Sequence, residues 1–210
     1  MLLFLLLIFP IASIWVISED LIISQALLDL RDYFLFGILL FIPSFFFINI
    51  FTGFLNQTYT ISNIYFYFLF ADYFFYQIFC IFSCILRFRN VMCLGASEGI
   101  NRYFLYMAGF YTAFTFYSAI HSNSGTDLYA LFLKPVTLLC MAVYSSVFMS
   151  FRDAETGLIK HLFTFLLIVF PAFLAFVPFF FYIRIPLLSF AIILLMAAHG
   201  FYVLYKKRNM

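Results

Sequence analysis

Long runs of hydrophobic residues, separated by short polar stretches, alternate along the whole sequence. A helix that rises 1.5 Å per residue needs about 20 residues to cross a hydrocarbon core of about 30 Å. Because most of the runs reach that length, the pattern predicts an all-α fold, a polytopic transmembrane helix bundle of about seven spans. The predicted spans are residues 2–17, 33–54, 63–86, 103–120, 128–150, 158–182 and 187–205.

Helices are expected because lipid offers no hydrogen-bond partner to backbone N–H and C=O groups, which an α-helix pairs within itself. The runs are continuous, whereas the strands of an outer-membrane barrel alternate between apolar and polar residues. Pro171 and Pro178 both fall within the span 158–182, and each removes a hydrogen bond to the carbonyl four residues earlier. We therefore expect that helix to bend, within a single domain over residues 1–210.

The first run and two of the connections have distinct characters. Residues 2–17 lack the positively charged start and the small-residue cleavage site of a signal peptide, so they are predicted to be a retained span. Residues 21–30 are predicted to form a short amphipathic segment in the membrane interface. Residues 87–102 are predicted to be the longest hydrophilic connection between spans.

The positions of Lys and Arg predict the orientation of the bundle, because positively charged residues beside spans stay on the cytoplasmic side. A cytoplasmic C-terminus and about seven spans put the N-terminus outside and leave only Arg184 among the outer loops. Localisation in the cytoplasmic (inner) membrane or in an organellar membrane is expected. The basic residues predicted on the cytoplasmic side are Arg31, Arg87, Arg89, Arg102, Arg152, Lys160, Lys206, Lys207 and Arg208.

Composition narrows the class of protein further. The chain is 67% hydrophobic and 10% charged, with a mean hydropathy of +1.11, whereas soluble domains carry about a quarter charged residues. A net charge of +2, spread over the span ends, argues against a nucleic-acid partner. The 35 phenylalanines, in clusters such as Phe45–Phe47, are predicted to face lipid.

Small residues indicate where helices approach one another closely. Gly109 and Ala113 lie in the span 103–120, and Ala197, Ala198 and Gly200 lie in the last span. Such residues let helix backbones come together in membranes. The expected partners are therefore the lipid bilayer and other proteins that associate through transmembrane helix faces.

Asp72 and Lys134 are the clearest charged residues inside predicted spans. An intramembrane charge is costly and usually faces the bundle interior or water. Both spans enter from the predicted outer side. Asp72 and Lys134 are expected at slightly different depths, and a long lysine side chain could span that difference. One hypothesis is a proton or ion relay, or a substrate carboxylate bound by Lys134. The alternative is structural: Lys134 reaches to the outer interface and Asp72 binds a neighbouring hydroxyl.

His161 and His199 are predicted toward the inner face on neighbouring helices. Two imidazoles could relay a proton or bind a metal. Without a third carboxylate or thiolate nearby they make a poor zinc site. Packing at the interface is the preferred interpretation, and neither a metal nor a cofactor is predicted.

Residues Gly95 to Gly99 read Gly-Ala-Ser-Glu-Gly, and Ala198 to Gly200 read Ala-His-Gly. The first segment resembles the Gly-x-Ser-Gly nucleophile motif of rhomboid proteases, with Glu98 in place of the second glycine. The resemblance implies a Ser97 nucleophile assisted by His199. A loop with helix-capping residues accounts for the same segment.

Three functions follow from these observations. The leading hypothesis is a non-enzymatic multi-pass membrane protein, a subunit or sensor that acts through helix–helix association in a larger assembly. The second is a transporter or channel for an ion or small solute that uses Asp72 and Lys134. The third is an intramembrane enzyme that modifies lipid or cleaves protein.

Overall fold

The computed structural model describes residues 8–14, 30–52, 61–88, 96–121 and 129–208. Within these ranges every residue is helical except Glu155, Thr156, Ala175 and the turn at residues 183–185, and no strand occurs. The all-α class is therefore confirmed for the described part of the chain. Of the predicted interfacial segment 21–30, only Leu30 lies within the described residues.

The helices are numbered here in chain order. They are α1 (residues 8–14), α2 (Leu35–Thr52, entered through a π-helical turn at Leu30–Phe34), α3 (Ile61–Phe68 and Phe75–Phe88, joined by a π-helical stretch at Leu69–Phe74), α4 (Ala96–His121), α5 (Lys134–Ala154, entered through a π-helical turn at Tyr129–Leu133), α6 (Gly157–Leu174), α7 (Phe176–Tyr182) and α8 (Pro186–Arg208).

Five helical stretches among the described residues are long and apolar enough to cross a membrane. These properties support a membrane protein with several spanning helices. Helix α4 is not among them, and only residues 8–14 of the first predicted span are described, so about seven spans and the orientation stay predictions. The five stretches are Arg31–Ile50, Ile64–Arg87, Lys134–Ala154, Gly157–Tyr182 and Pro186–Val203.

One predicted connection is partly wrong. Residues 87–102 were expected to be hydrophilic loop, but α3 continues to Phe88 and α4 already begins at Ala96. Contacts with the rest of the protein stabilise the first turns of α4, although these residues are hydrophilic. Ile100 is buried, and the guanidinium of Arg102 lies 5.5 Å from the ring centre of Tyr33. Residues 89–95 lie outside the described ranges.

Helices α4 and α5 form the centre of the bundle. Every residue of α4 from Tyr103 to Tyr111 is buried, and 78% of the apolar window of α5 is buried, against 17% for that of α8. Helix α4 packs between α2 and α5. The remaining helices surround this pair and expose large apolar side chains on their outer faces, as lipid contact requires.

The crossing of α2 and α4 depends on two glycines. A Cβ atom at Gly109 would overlap the backbone carbonyl oxygen of Phe34, and one at Gly37 would overlap that of Tyr106. Because glycine carries no Cβ, the two backbones approach more closely here than any other residue pair would permit. Gly109 thus belongs to a contact within the chain.

The prediction that phenylalanine faces lipid is right for Phe46 and Phe47, which are exposed, and wrong for several others. Phe41 of α2 lies among rings from α3 and α4, 6.0 Å from Tyr76 and 5.7 Å from Phe110, measured between ring centres. Tyr76 in turn stacks on Phe114 at 3.8 Å. Aromatic rings therefore also fill the space between the central helices.

The bend expected from Pro171 and Pro178 lies at Ala175, where α6 ends and α7 begins. Pro178 has no N–H to donate to the carbonyl four residues earlier, so the helix cannot continue regularly through this point. The hydroxyl of Tyr65 on α3 donates to the carbonyl oxygen of Ala172 at 2.9 Å. That bond ties the bent helix to α3.

Candidate functional site

Asp72 and Lys134 form an ion pair that joins α3 to the start of α5. The Lys134 Nζ donates to Asp72 Oδ1 at 2.9 Å, and the two side chains are 10% and 15% exposed for Lys134 and Asp72, respectively. Lys134 does not extend away from the bundle, and Asp72 binds an ammonium instead of only a hydroxyl. The structure therefore brings together the two charged residues that the sequence singles out.

Irregular helix geometry positions both partners. Asp72 lies in the π-helical stretch Leu69–Phe74 of α3, and Lys134 directly follows the π-helical turn Tyr129–Leu133. A π-helical insertion changes the phase of the side chains around the helix axis and is frequent at functional sites. Pro135, in the first turn of α5, has no N–H to donate to the preceding π-helical turn, which accords with the irregular geometry there.

An aromatic ring covers the ammonium on the side of α4. The Lys134 Nζ lies 4.6 Å from the ring centre of Phe114, within the range of a cation–π contact. The carboxylate of Asp72 and this ring together replace much of the hydration that the ammonium loses. Side chains from three helices, α3, α4 and α5, thus meet at the charged ammonium of Lys134.

Two buried tyrosines lie beside the ion pair. The hydroxyl oxygens of Tyr73 and Tyr129 are 2.5 Å apart, and both residues come from the π-helical segments that also position the charges. Tyr73 is fully buried and Tyr129 is 2% exposed. A buried phenol needs a hydrogen-bond partner, and each tyrosine supplies one for the other.

A second polar cluster lies further along the same three helices. Gln77 of α3 donates through Nε2 to Ser145 Oγ of α5 at 2.5 Å, and Tyr111 of α4 donates to Gln77 Oε1 at 2.6 Å. All three side chains are fully buried. Their bonds satisfy both ends of the amide in a region that water does not reach.

The series continues to the opposite end of α3. The hydroxyl of Tyr106 donates to Ser83 Oγ at 2.6 Å, and that of Tyr103 donates to the carboxylate of Asp153 at the end of α5. The Arg152 Nη1 lies 3.8 Å from Asp153 Oδ1. We call the whole series the polar seam. It comprises Asp72, Lys134, Tyr73, Tyr129, Gln77, Ser145, Tyr111, Ser83, Tyr106, Tyr103 and Asp153.

The two histidines do not join this seam. His161 is exposed near the start of α6, and the Nδ1 of His199 lies 2.7 Å from the hydroxyl of Tyr144, whose ring stacks on the imidazole. Among the described residues no group of three or more His, Cys, Asp or Glu side chains could hold a metal ion. Ser97 lies in the first turn of α4, and its side chain falls outside the description.

Comparisons with known proteins relate the chain to no family. No protein-family model, no curated protein and no solved structure matches the chain.

Sequence reasoning missed the middle of the seam. Gln77 is the only glutamine within a predicted span, and an amide in hydrocarbon needs a partner just as a charge does. That observation could have indicated Gln77 from the sequence. Its partners Ser145 and Tyr111 carry no such signal, since serine and tyrosine recur throughout the spans.

Proposed function

We propose that the chain moves a proton or a small solute across the membrane and that Asp72 and Lys134 are its exchange site. The observation that carries this proposal is the ion pair, enclosed by three helices and 10–15% exposed. Charged side chains within membrane-spanning helices are expensive and usually mark a pathway for ions, protons or substrates.

The chemistry of the pair suggests how exchange would occur. A proton that binds the Asp72 carboxylate neutralises it, so the hydrogen bond from Lys134 loses the negative charge that strengthens it. Alternatively, a solute carboxylate displaces Asp72 from Lys134 and takes over the same bond. Either event leaves one partner without its counter-charge in a poorly hydrated place, which favours a change in helix packing.

The polar seam supports a route between the pair and the other end of the bundle. Its side chains follow α3 from Asp72 through Gln77 to Ser83. The last residue of the seam, Asp153, lies in the final turn of α5. With about seven spans and a cytoplasmic C-terminus, the ion pair lies toward the outer side and Asp153 toward the cytoplasm. Hydroxyl, amide and carboxyl groups are those that line intramembrane pathways.

The subunit role predicted from the sequence depended on helix faces left free for partners and on the absence of a convergent polar site. The small residues Gly109 and Gly200 contact Phe34 and Tyr144 of the same chain. Ala198 remains exposed, but an exposed apolar face is equally what lipid contact requires. The ion pair therefore favours the transport proposal, and assembly into a larger complex stays a prediction.

Flux measured in liposomes tests the proposal directly. The purified full chain is reconstituted with a pH-sensitive dye or labelled carboxylic acids inside the vesicles. Asp72→Asn and Lys134→Met should each abolish the flux, because either variant removes one half of the exchange site. The charge-swapped variant Asp72→Lys with Lys134→Asp should restore part of it.

Asp32→Asn is the matched control, because Asp32 also pairs with a basic neighbour, Arg31, but both side chains are exposed at the start of α2. Its flux should equal that of the wild type. Flux that survives in both Asp72→Asn and Lys134→Met would refute the exchange site. A wild-type protein that carries no proton and no carboxylate would refute the transport proposal itself.

A further inference from the structure

The polar seam ends in a second carboxyl group that is largely buried, that of Asp153. Of the acidic side chains that the structure describes, only those of Asp72 and Asp153 are largely buried, at 15% and 14% exposure. Lys134, the partner of Asp72, begins α5, and Asp153 lies in the last turn of the same helix. About 30 Å of helix separates Lys134 from Asp153. The two carboxyl groups therefore lie at opposite ends of the seam.

The two oxygens of the Asp153 carboxylate have different surroundings. Oδ2 accepts the hydrogen bond from the hydroxyl of Tyr103, which ties the carboxyl group to α4. Oδ1 lies 3.8 Å from the Arg152 Nη1, beyond hydrogen-bond distance, and that nitrogen donates to the Met149 Sδ at 3.5 Å. Oδ1 can therefore bind a proton while the hydrogen bond from Tyr103 stays in place.

The middle of the seam restricts what can pass between the two carboxyl groups. Tyr111 donates to Gln77 Oε1 at 2.6 Å, and Gln77 Nε2 donates to Ser145 Oγ at 2.5 Å, so side chains of α3, α4 and α5 touch one another directly there. A carboxylic acid would have to break both hydrogen bonds and separate the three helices. A proton needs no such separation, because it is handed on by groups that both accept and donate, as hydroxyl groups do.

We infer that the transported species is a proton and that Asp153 is the second proton-binding residue, on the predicted cytoplasmic side. The inference rests on the proposed transport function and narrows its substrate. A proton that reaches the end of the seam binds Asp153 Oδ1 and neutralises the carboxylate, and its release to water restores the anion. Asp72 makes the same exchange on the outer side. Intramembrane carboxyl groups serve in this way in proton relays.

Two fluxes measured in liposomes test the inference. The full chain is reconstituted with a pH-sensitive dye inside the vesicles, and a potassium gradient with valinomycin drives proton uptake. A parallel set of vesicles measures the uptake of labelled dicarboxylic acids. The wild type should take up protons and no dicarboxylic acid. Asp153→Asn should lower the protein-dependent proton uptake about 100-fold, because an amide still accepts the hydrogen bond from Tyr103 but does not exchange a proton as a carboxylate does.

Glu155→Gln is the matched control, because Glu155 is an exposed acidic residue directly after the same helix. Its proton uptake should equal that of the wild type. Asp153→Glu restores a carboxyl group and should recover part of the uptake that Asp153→Asn loses.

The wild type alone decides if Asp153→Asn does not fold. A hydrophobic carbodiimide modifies protonated carboxyl groups in apolar surroundings, and peptide mass spectrometry locates the modified residue. The reagent should modify Asp153 and block proton uptake. Undiminished uptake by protein that is modified at Asp153 would overturn the inference, and so would an Asp153 that stays unmodified.

The results in liposomes separate this inference from the wider proposal. Wild-type proton uptake in Asp153→Asn, with none in Asp72→Asn, would overturn the inference and leave the exchange site intact. Uptake of a dicarboxylic acid by the wild type would overturn the inference and favour solute transport. A wild type that carries neither species would overturn both the inference and the transport proposal.

Discussion

The crossing of α2 and α4 makes a sharp prediction about stability. A Cβ introduced by Gly109→Ala would overlap the carbonyl oxygen of Phe34 and lie 2.8 Å from its carbonyl carbon, whereas ordinary van der Waals contact begins at 3.4 Å. The obstacle is backbone on the facing helix, so no side chain can rotate away. Helices α2 and α4 would have to separate by about 1 Å at this crossing.

The cost of that separation can be estimated. A gap of about 0.5–1 Å forfeits a quarter to a half of the dispersion energy of the facing atoms, and overpacking of a tight interior costs about 1–3 kcal/mol. We expect Gly109→Ala to lower the free energy of unfolding by about 2–3 kcal/mol. For a chain of this size that corresponds to a fall in melting temperature of about 5–10 °C.

A thiol-reactive fluorogenic dye provides the assay in a Cys93→Ser background, because the other three cysteines of the chain, Cys80, Cys84 and Cys140, are buried and free and would react only as the protein unfolds in detergent. Gly200→Ala is the matched control. A Cβ there would meet the Val143 Cγ1 at 3.4 Å, an ordinary contact with a side chain, so its melting temperature should change by no more than about 2 °C.

A second glycine at the same crossing extends the test. A Cβ at Gly37 would overlap the carbonyl oxygen of Tyr106 and lie 2.9 Å from the Phe110 nitrogen. Once one substitution has separated α2 from α4, the other meets less resistance, so the double variant with Gly109→Ala should cost less than the sum of the singles. A Gly109→Ala protein as stable as the wild type, or a Gly200→Ala protein equally destabilised, would refute the reasoning.

The polar seam supports two more predictions in the same thermal assay. Gln77→Leu leaves the hydroxyls of Ser145 and Tyr111 buried without their amide partner and should cost about 2–4 kcal/mol; an unchanged melting temperature would contradict those hydrogen bonds. Lys134→Met leaves Asp72 with an unpaired charge and should cost about 3–5 kcal/mol, whereas adding Asp72→Asn should recover most of the loss. A double variant less stable than the single would contradict the pairing.

The sequence predicts the two charges of the site but not the way they meet. Asp72 and Lys134 are conspicuous because few charged residues occur within the hydrophobic runs, and a helix rise of 1.5 Å per residue estimates their depths. The rotation of each helix about its axis decides whether the side chains face one another. That rotation depends here on π-helical segments at Leu69–Phe74 and Tyr129–Leu133, for which hydrophobic periodicity gives no signal.

Helix α4 shows why the core was harder to predict than the helices around it. The predicted span 103–120 is part of a longer helix, Ala96–His121. That helix is not among the described helices that are apolar enough to cross a membrane. Its buried Tyr103, Tyr106 and Tyr111 all donate hydrogen bonds to side chains of α3 or α5. A helix surrounded by other helices can carry such residues because protein, and not lipid, satisfies their hydroxyls. Mean hydropathy therefore misses α4, whose tyrosines lower it, but does not miss α5, although 78% of the apolar window of α5 is buried.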